Sequence, residues 1–349
     1  MAHHIAVNGR AISNIAPVYI IAEMSANHAQ DFDQAVKILQ AASEAGADAV
    51  KLQTYTPDTM TIDCDNEYFR IKGTIWEGRN LYELYGEAYT PWDWQPKLKE
   101  IAEGLGLDLF STPFDATAVD FLEQMDVPAY KVASFEIVDL PLLQKIARTG
   151  KPIIMSTGMA TLGEIDEAVQ TIREVGGTQL ALLKCTSAYP ALPEEMNLLT
   201  IPHLAQAFNV PVGLSDHTLD IAVPVAAVAL GACIIEKHFM LSRANEGPDS
   251  TFSLEPHEFS AMVAAVRVAE KALGTIHYGV SEAEAKSRVF RRSLFVVKDM
   301  KKDEVFTEEN VHSIRPGYGL APKFLPDVLG RRAVMDIPKG TPIKWSLVR

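Results

Sequence analysis

The sequence predicts an α/β protein: a (β/α)8 TIM barrel followed by a small β-rich module. Three observations carry that expectation. Short apolar runs alternate with helical patterns up to Leu273. Eight of those runs end in polar or charged residues, as strands of a parallel barrel do at their C-terminal rim. Beyond Gly274 the alternation stops, and short runs separated by turns take over. An open doubly wound sheet is the alternative. No G-x-G-x-x-G follows the first strand, which weighs against its dinucleotide-binding form.

The elements follow in order. Residues 5–12 read as a hairpin turning at Asn8-Gly9. Val18 to Ala22 is the first barrel strand and ends in Glu23. Asp31 to Ala45 is helical, with Ala35, Ile38, Leu39 and Ala42 on one face and Gly46 as its stop. The next strand, 49–52, ends in Lys51, Gln53 and Thr54. Residues 58–90 break the rhythm with an aromatic, mixed-charge insertion, read as a lid or substrate loop. Strands then recur at 107–111, 129–132, 152–155, 180–184, 212–214 and 234–235, each followed by a helical stretch. The barrel domain is thus expected over 1–278, a polar linker over 279–291 and the module over 292–349. The module carries a weak internal repeat: residues 298–306 align with 335–343, matching Asp299 to Asp336 and Lys302 to Lys339.

Bulk properties limit the function. The chain has 349 residues and a net charge of −13, which argues against holding nucleic acid over its whole surface. An anionic small molecule would need a local cluster of Lys and Arg. Three cysteines without metal-type spacing fit a reducing compartment. The opening M-A-H-H-I-A-V-N-G-R has no apolar core, and no run is long enough to span a bilayer. A cytoplasmic protein without a membrane partner is expected.

The chemistry gathers at the strand ends. V-G-L-S-D-H-T and G-A-C-I-I-E-K-H-F place His217 and His238 at the ends of consecutive strands, each beside a carboxylate. Alone, either histidine reads best as a satisfied loop residue; as a pair they can meet at one metal ion. Imidazole and oxygen ligands without sulfur suit Mn, Fe, Co or Zn without choosing among them. Lys51 and Lys131 sit in apolar runs, as structural ion pairs, Schiff-base lysines or anion binders. With the hydroxyls of Thr112, Ser134, Ser156, Ser187 and Ser215 they suit a phosphate or carboxylate ligand. Asp249 follows Pro248 and reads equally as a turn residue or as an oxygen donor near metal or sugar.

A-E-M-S-A-N-H (22–28), K-L-Q-T (51–54), S-T-P-F (111–114), Y-K-V-A-S (130–134), S-T-G-M (156–159), C-T-S-A-Y-P (185–190), G-L-S-D-H-T (213–218) and E-K-H-F (236–239) together resemble the nonulosonic (sialic) acid synthase family. S-I-R-P-G-Y-G (313–319) resembles that family's antifreeze-like (SAF) domain. The resemblance runs in order through nearly the whole chain. W-E-G-R-N-L-Y-E-L-Y and E-A-Y-T-P-W-D-W-Q resemble the branch that takes an N-acetylated 6-deoxyhexose. Ala29-Gln30 departs from the usual Asn after the histidine, and Ser187 stands where sialic acid synthases tend to have Asn.

The resemblance implies condensation of phosphoenolpyruvate (PEP) with an N-acetylated sugar aldehyde, in a domain-swapped homodimer. It implies that Lys51, Thr112, Lys131, Ser134, Ser156, Ser187 and Ser215 hold PEP. It gives His217 and His238 a divalent cation, Mn²⁺ first with Mg²⁺ or Co²⁺ as alternates. Glu23 is implied as the proton-handling group, with Gln53, Tyr189, Asp249 and Arg315 on the sugar, Arg315 from the partner subunit. Two other classes compete: a metal-dependent hydrolase on the same barrel, and a non-catalytic glycan or ice binder. The first would carry more metal-ligand His and Asp on the first strand. The second does not explain a complete set of polar strand ends.

Overall fold

The computed structural model describes residues 4–349; residues 1–3, the start of the expected barrel domain, lie outside them. The chain divides into two compact units, one ending at Gly274 and one spanning Thr275–Arg349.

The first unit opens with an antiparallel hairpin of β1 (Ile5–Val7) and β2 (Arg10–Ile12). Asn8 and Gly9 both have positive φ, 46° and 78°, which the tight two-residue turn requires. Eight strands then close a barrel: β3 (Tyr19–Glu23), β4 (Ala49–Thr54), β5 (Asp108–Pro113), β6 (Tyr130–Val132), β7 (Ile153–Ser156), β8 (Leu180–Cys185), β9 (Val212–Asp216) and β10 (Ile234–His238). All pair in parallel, and β10 closes on β3 with His238 opposite Glu23. Helices cover the outer face while side chains fill the inside. The strands are therefore buried on both faces and read as continuous apolar runs.

Local signals place the helices. Asp31 caps Phe32–Glu44 by accepting from the Gln34 N–H, and Gly46 at φ +90° ends that turn. Thr161 and Glu164 form a capping box at the start of Leu162–Glu174. Gly213 is dictated by packing: a Cβ there would lie 2.4 Å from the Ile234 carbonyl oxygen.

The N-terminal end of the barrel is closed by ion pairs around the hairpin. Asp48 takes Arg10 at 2.5 Å, the Ile20 N–H at 2.8 Å and Arg267 at 3.2 Å. Asp108 takes the Tyr19 hydroxyl at 2.6 Å and the Asn8 amide at 2.5 Å.

The expected 58–90 insertion holds short structure of its own. A helical turn at Pro57–Met60 and a helix at Leu81–Ala88 flank a small spur. The stretch read as a linker is also partly ordered. Ser281 caps a helical turn at Glu282–Ala285, and a 3-10 turn follows at Lys286–Phe290. Its exposed, polar residues gave no helical stripe, and the order comes from the capping box.

The second unit is built on β11 (Ser293–Val296) and β12 (Val311–Ile314), antiparallel, over a core that includes Leu294, Phe306, Val311, Val328 and Ile343. The repeat is realised as a reciprocal pairing. The Lys302 N–H donates to Asp336 at 2.8 Å, and the Lys339 N–H donates to Asp299 at 2.7 Å. Between them Met300 and Ile337 exchange backbone hydrogen bonds of 2.8 and 2.9 Å. Each half thus satisfies the turn of the other.

Candidate active site

Successive side chains on a strand alternate faces, so i and i+2 at a strand end both enter the barrel mouth. That pattern brings in Lys51 with Gln53, Ser215 with His217, and Glu236 with His238. Intervening residues point the other way. Asp216 and Lys237, opposite one another in register, form a fully buried ion pair at 2.8 Å behind the two histidines.

The mouth holds two buried lysines and two buried glutamates. Lys51 Nζ lies 2.6 Å from Glu23 Oε2 and 3.9 Å from Glu236 Oε1. Lys131 Nζ lies 3.8 Å from the same Glu236 oxygen and donates to Ser156 at 2.7 Å. Ser215 donates to Glu236 at 3.3 Å, and Thr112 accepts from Lys51 at 3.4 Å. Gln53 bridges Glu23 at 2.9 Å and Ser25 at 2.8 Å.

These contacts set the charges. Burial pushes the Glu23 carboxyl up to about 7 against the pull of Lys51. Burial also lowers the Lys131 amine, whose carboxylate partner is too distant to compensate. For Lys51 burial acts downward too, but Glu23 and Glu236 outweigh it and the net shift is upward. Burial would raise Glu236, yet Lys131 and Lys51 hold it below its ordinary value. The result is a buried cluster of two lysines and two glutamates in which Glu23 titrates near neutrality. An arriving anion would meet cations whose desolvation is already complete.

Ser134 and Ser187 meet around Gly158. The Gly158 N–H donates to Ser134 Oγ at 3.0 Å, and a Cβ on Gly158 would strike Ser187 Oγ at 2.3 Å. Bare backbone at this point lets the Ser134 and Ser187 hydroxyls close on the same spot, where they can serve an oxyanion.

His217 and His238 face one another with ring centroids 5.4 Å apart. His217 Nδ1 donates to the Thr186 carbonyl at 2.8 Å; burial acts to lower the ring, but the neighbouring Cys185 thiol and that carbonyl outweigh it and the net shift is upward. Among the described residues His238 Nδ1 is buried without a hydrogen-bond partner, and Asp249 Oδ2 stands 3.7 Å away. Burial, then His217, push His238 well below its ordinary value, so it is neutral, the form that ligates metal. The residues fit a divalent cation held by two imidazoles. Among the described residues no cluster of three or more His, Cys, Asp or Glu side chains has metal-site geometry. The Tyr189 ring packs on His217 at 4.5 Å and on Phe252 at 5.0 Å, forming one wall.

The expected residues of the first unit therefore converge in one mouth, in three adjoining groups. Arg315 lies exposed in the second unit. Sequence reasoning counted Glu236 among the polar strand ends but gave it no role, although it links both lysines. Ser25 and Glu136 escaped it. Ser25 supports Gln53 and helps hold Asp249, whose carboxyl burial pushes upward. Glu136 has a buried Oε2 with no hydrogen-bond partner among the described residues, and burial lifts its carboxyl to about 7. The available signals were S-A-N-H and a lone acid two residues beyond Ser134. His28 of S-A-N-H is structural: it is buried, bonded to Thr90 at 3.1 Å, and lowered by burial to about 4. At the Ala29-Gln30 departure both residues have positive φ, and the Gln30 amide reaches the Glu87 carbonyl of the insertion at 3.2 Å.

Comparison with known proteins adds to this geometry. The NeuB family profile matches residues 38–278 and the SAF domain profile residues 291–349. The chain is 50% identical over 329 residues to pseudaminic acid synthase of Campylobacter jejuni subsp. jejuni serotype O:23/36 (strain 81-176), covering 94% of this chain and 96% of that one. It is 46% identical over 330 residues to pseudaminic acid synthase of Helicobacter pylori, covering 94% and 97%. The crystal structure of N-acetylneuraminic acid (sialic acid) synthetase from Leptospira borgpetersenii superposes with a TM-score of 0.74 at 31% identity, over 82% of this chain and 95% of that one.

Proposed function

The chain belongs to the NeuB family, and from that premise we infer that it makes pseudaminic acid from PEP, 2,4-diacetamido-2,4,6-trideoxy-L-altrose and water, releasing phosphate. The observation that carries this reading is the buried set Glu23–Lys51–Glu236–Lys131 beside the His217–His238 pair.

Lys51, Thr112, Lys131, Ser134, Ser156, Ser187 and Ser215 bind the carboxylate and phosphate of PEP. His217 and His238 hold a divalent cation, Mn²⁺ first, which when bound polarises the sugar aldehyde. Gln53, Tyr189 and Asp249 orient the open-chain sugar, so that PEP C3 stands against the aldehyde carbon before reaction. The C3–C1 bond forms and C2 of PEP becomes cationic. Water adds at C2, and phosphate leaves with cleavage of its C–O bond. Glu23, titrating near neutrality, handles the proton of that water or of the new hydroxyl. Lys51 and Lys131 stabilise charge and form no covalent bond.

The active form is a domain-swapped homodimer, in which Arg315 of the partner subunit contacts the sugar. Exposed Phe135, Val138, Met159, Leu192 and Leu199 on loops after β6, β7 and β8 support this, because they leave an apolar rim to be covered.

Phosphate release from PEP with Mn²⁺ tests the reading, with the altrose derivative, N-acetylmannosamine and the legionaminic acid precursor compared side by side. Release with the first alone is expected. Release with either other sugar alone keeps the reaction and replaces the substrate. Release with none sinks the synthase reading. Chelation should abolish turnover, and His217→Ala should lose calorimetric Mn²⁺ binding.

A further inference from the structure

The insertion presents one side chain to the site wall. Residues 69–81 fold back on themselves as a spur: the Ile71 N–H donates to the Arg79 carbonyl and the Gly78 N–H to the Ile71 carbonyl, both at 2.9 Å. Arg70 and Asn80 bridge at its base. At the tip stands Trp76, half-buried among exposed neighbours. Its indole N–H donates to the Pro248 carbonyl at 3.0 Å, next to Asp249. Its ring lies 5.8 Å from Tyr189, which in turn packs on His217. Among the described residues, 72–78 make no other hydrogen bond beyond residues 69–81. The tip of the spur thus makes one directed hydrogen bond beyond it, and that bond reaches the Tyr189 side of the mouth.

We propose that Trp76 is a specificity-determining residue that packs against the C6 end of the acceptor sugar. The proposal rests on the synthase reading above. A sugar whose aldehyde carbon sits at the histidine pair must run its far end outward, past Tyr189, toward the loops. There it meets the Trp76 and Tyr189 rings. The Trp76 N–H is already engaged by Pro248, so its face offers no partner to a hydroxyl and accepts a methyl. A 6-deoxy sugar loses nothing at such a surface, whereas a 6-hydroxyl is desolvated without compensation. Apolar walls discriminate modestly against an added hydroxyl, by about a hundredfold at most.

The experiment measures kcat/KM by phosphate release for the 6-deoxy altrose derivative and its 6-hydroxy counterpart, in wild type, Trp76→Ala and Trp76→Phe. Wild type should prefer the 6-deoxy sugar. Trp76→Ala should reduce that preference at least about tenfold through the sugar KM, with the KM for PEP unchanged. Trp76→Phe, which keeps a ring but loses the Pro248 bond, should retain most of it. An unchanged ratio in an active Trp76→Ala, or a preference lost equally in Phe and Ala, overturns the proposal alone. Wild type that turns over neither sugar overturns the synthase reading and the proposal with it.

Discussion

The two ends of the barrel bury charge in opposite ways. At the N-terminal end Asp48, Asp108 and Glu270 spend their oxygens on Arg10, Arg267, Tyr19 and backbone N–H groups. At the C-terminal end Glu236 Oε2, Glu136 Oε2 and His238 Nδ1 are buried with no hydrogen-bond partner among the described residues, and Lys131 lies 3.8 Å from its carboxylate. One end completes its own hydrogen bonds and holds the closure. The other leaves buried polar groups short of protein partners, an expensive state that makes sense when a ligand supplies what is missing. Stability and function are thus divided along the barrel axis.

That division can be broken by mutation. The largest effect is expected from Glu23→Gln, which should lower the rate of phosphate release about 10²–10⁴-fold while leaving the melting temperature at or above that of wild type. A retained rate would remove Glu23 from proton transfer. Next comes Arg315→Ala, expected to cost about ten- to a hundredfold in activity with the barrel still folded. Co-expressing it with Glu23→Gln sharpens the point, because a cross-subunit arginine lets a mixed dimer rebuild one intact site. No recovered activity in the mixture would reject the swap.

At the opposite end, Asp48→Ala should destabilise the protein by about 2 kcal/mol in denaturant titration and leave kcat unchanged. A kinetic defect there would merge the two ends. The smallest effect is a slope. The Glu136 carboxyl, raised by burial from 4.5 to about 7, binds its proton more tightly folded than unfolded. Its stabilising contribution is therefore present below pH 4.5 and lost as pH rises through 7. Glu136→Gln should remove that loss, gaining on the order of 1 kcal/mol over wild type at pH 8 but not at pH 4.5. Equal stabilities at both values would show that Glu136 ionises freely.

Much of this was legible from residue order. The apolar runs ending in Glu23, Lys51, Lys131, His217 and His238 gave both the barrel and the contents of its mouth, because strand burial and helix caps are local signals. Residues 298–306 and 335–343 gave the repeat as well, since matching turns need matching residues. Ser25 was passed over because its value lies in bracing Gln53 and Asp249, which no spacing records. Glu282–Ala285 was taken for linker because a capping box on an exposed turn leaves no apolar stripe.

The sequence alone, then, determined the elements, their order and the chemical stock of the strand ends, all set by neighbours a few residues apart. Only the closed barrel decided that Glu236 would stand between Lys51 and Lys131, that His238 would lie opposite Glu23, and that Trp76 would reach Pro248 and Tyr189. Those contacts join residues far apart in the chain. They exist because β10 closes on β3, and burial at that seam turns ordinary side chains into a charged, partly unsatisfied site.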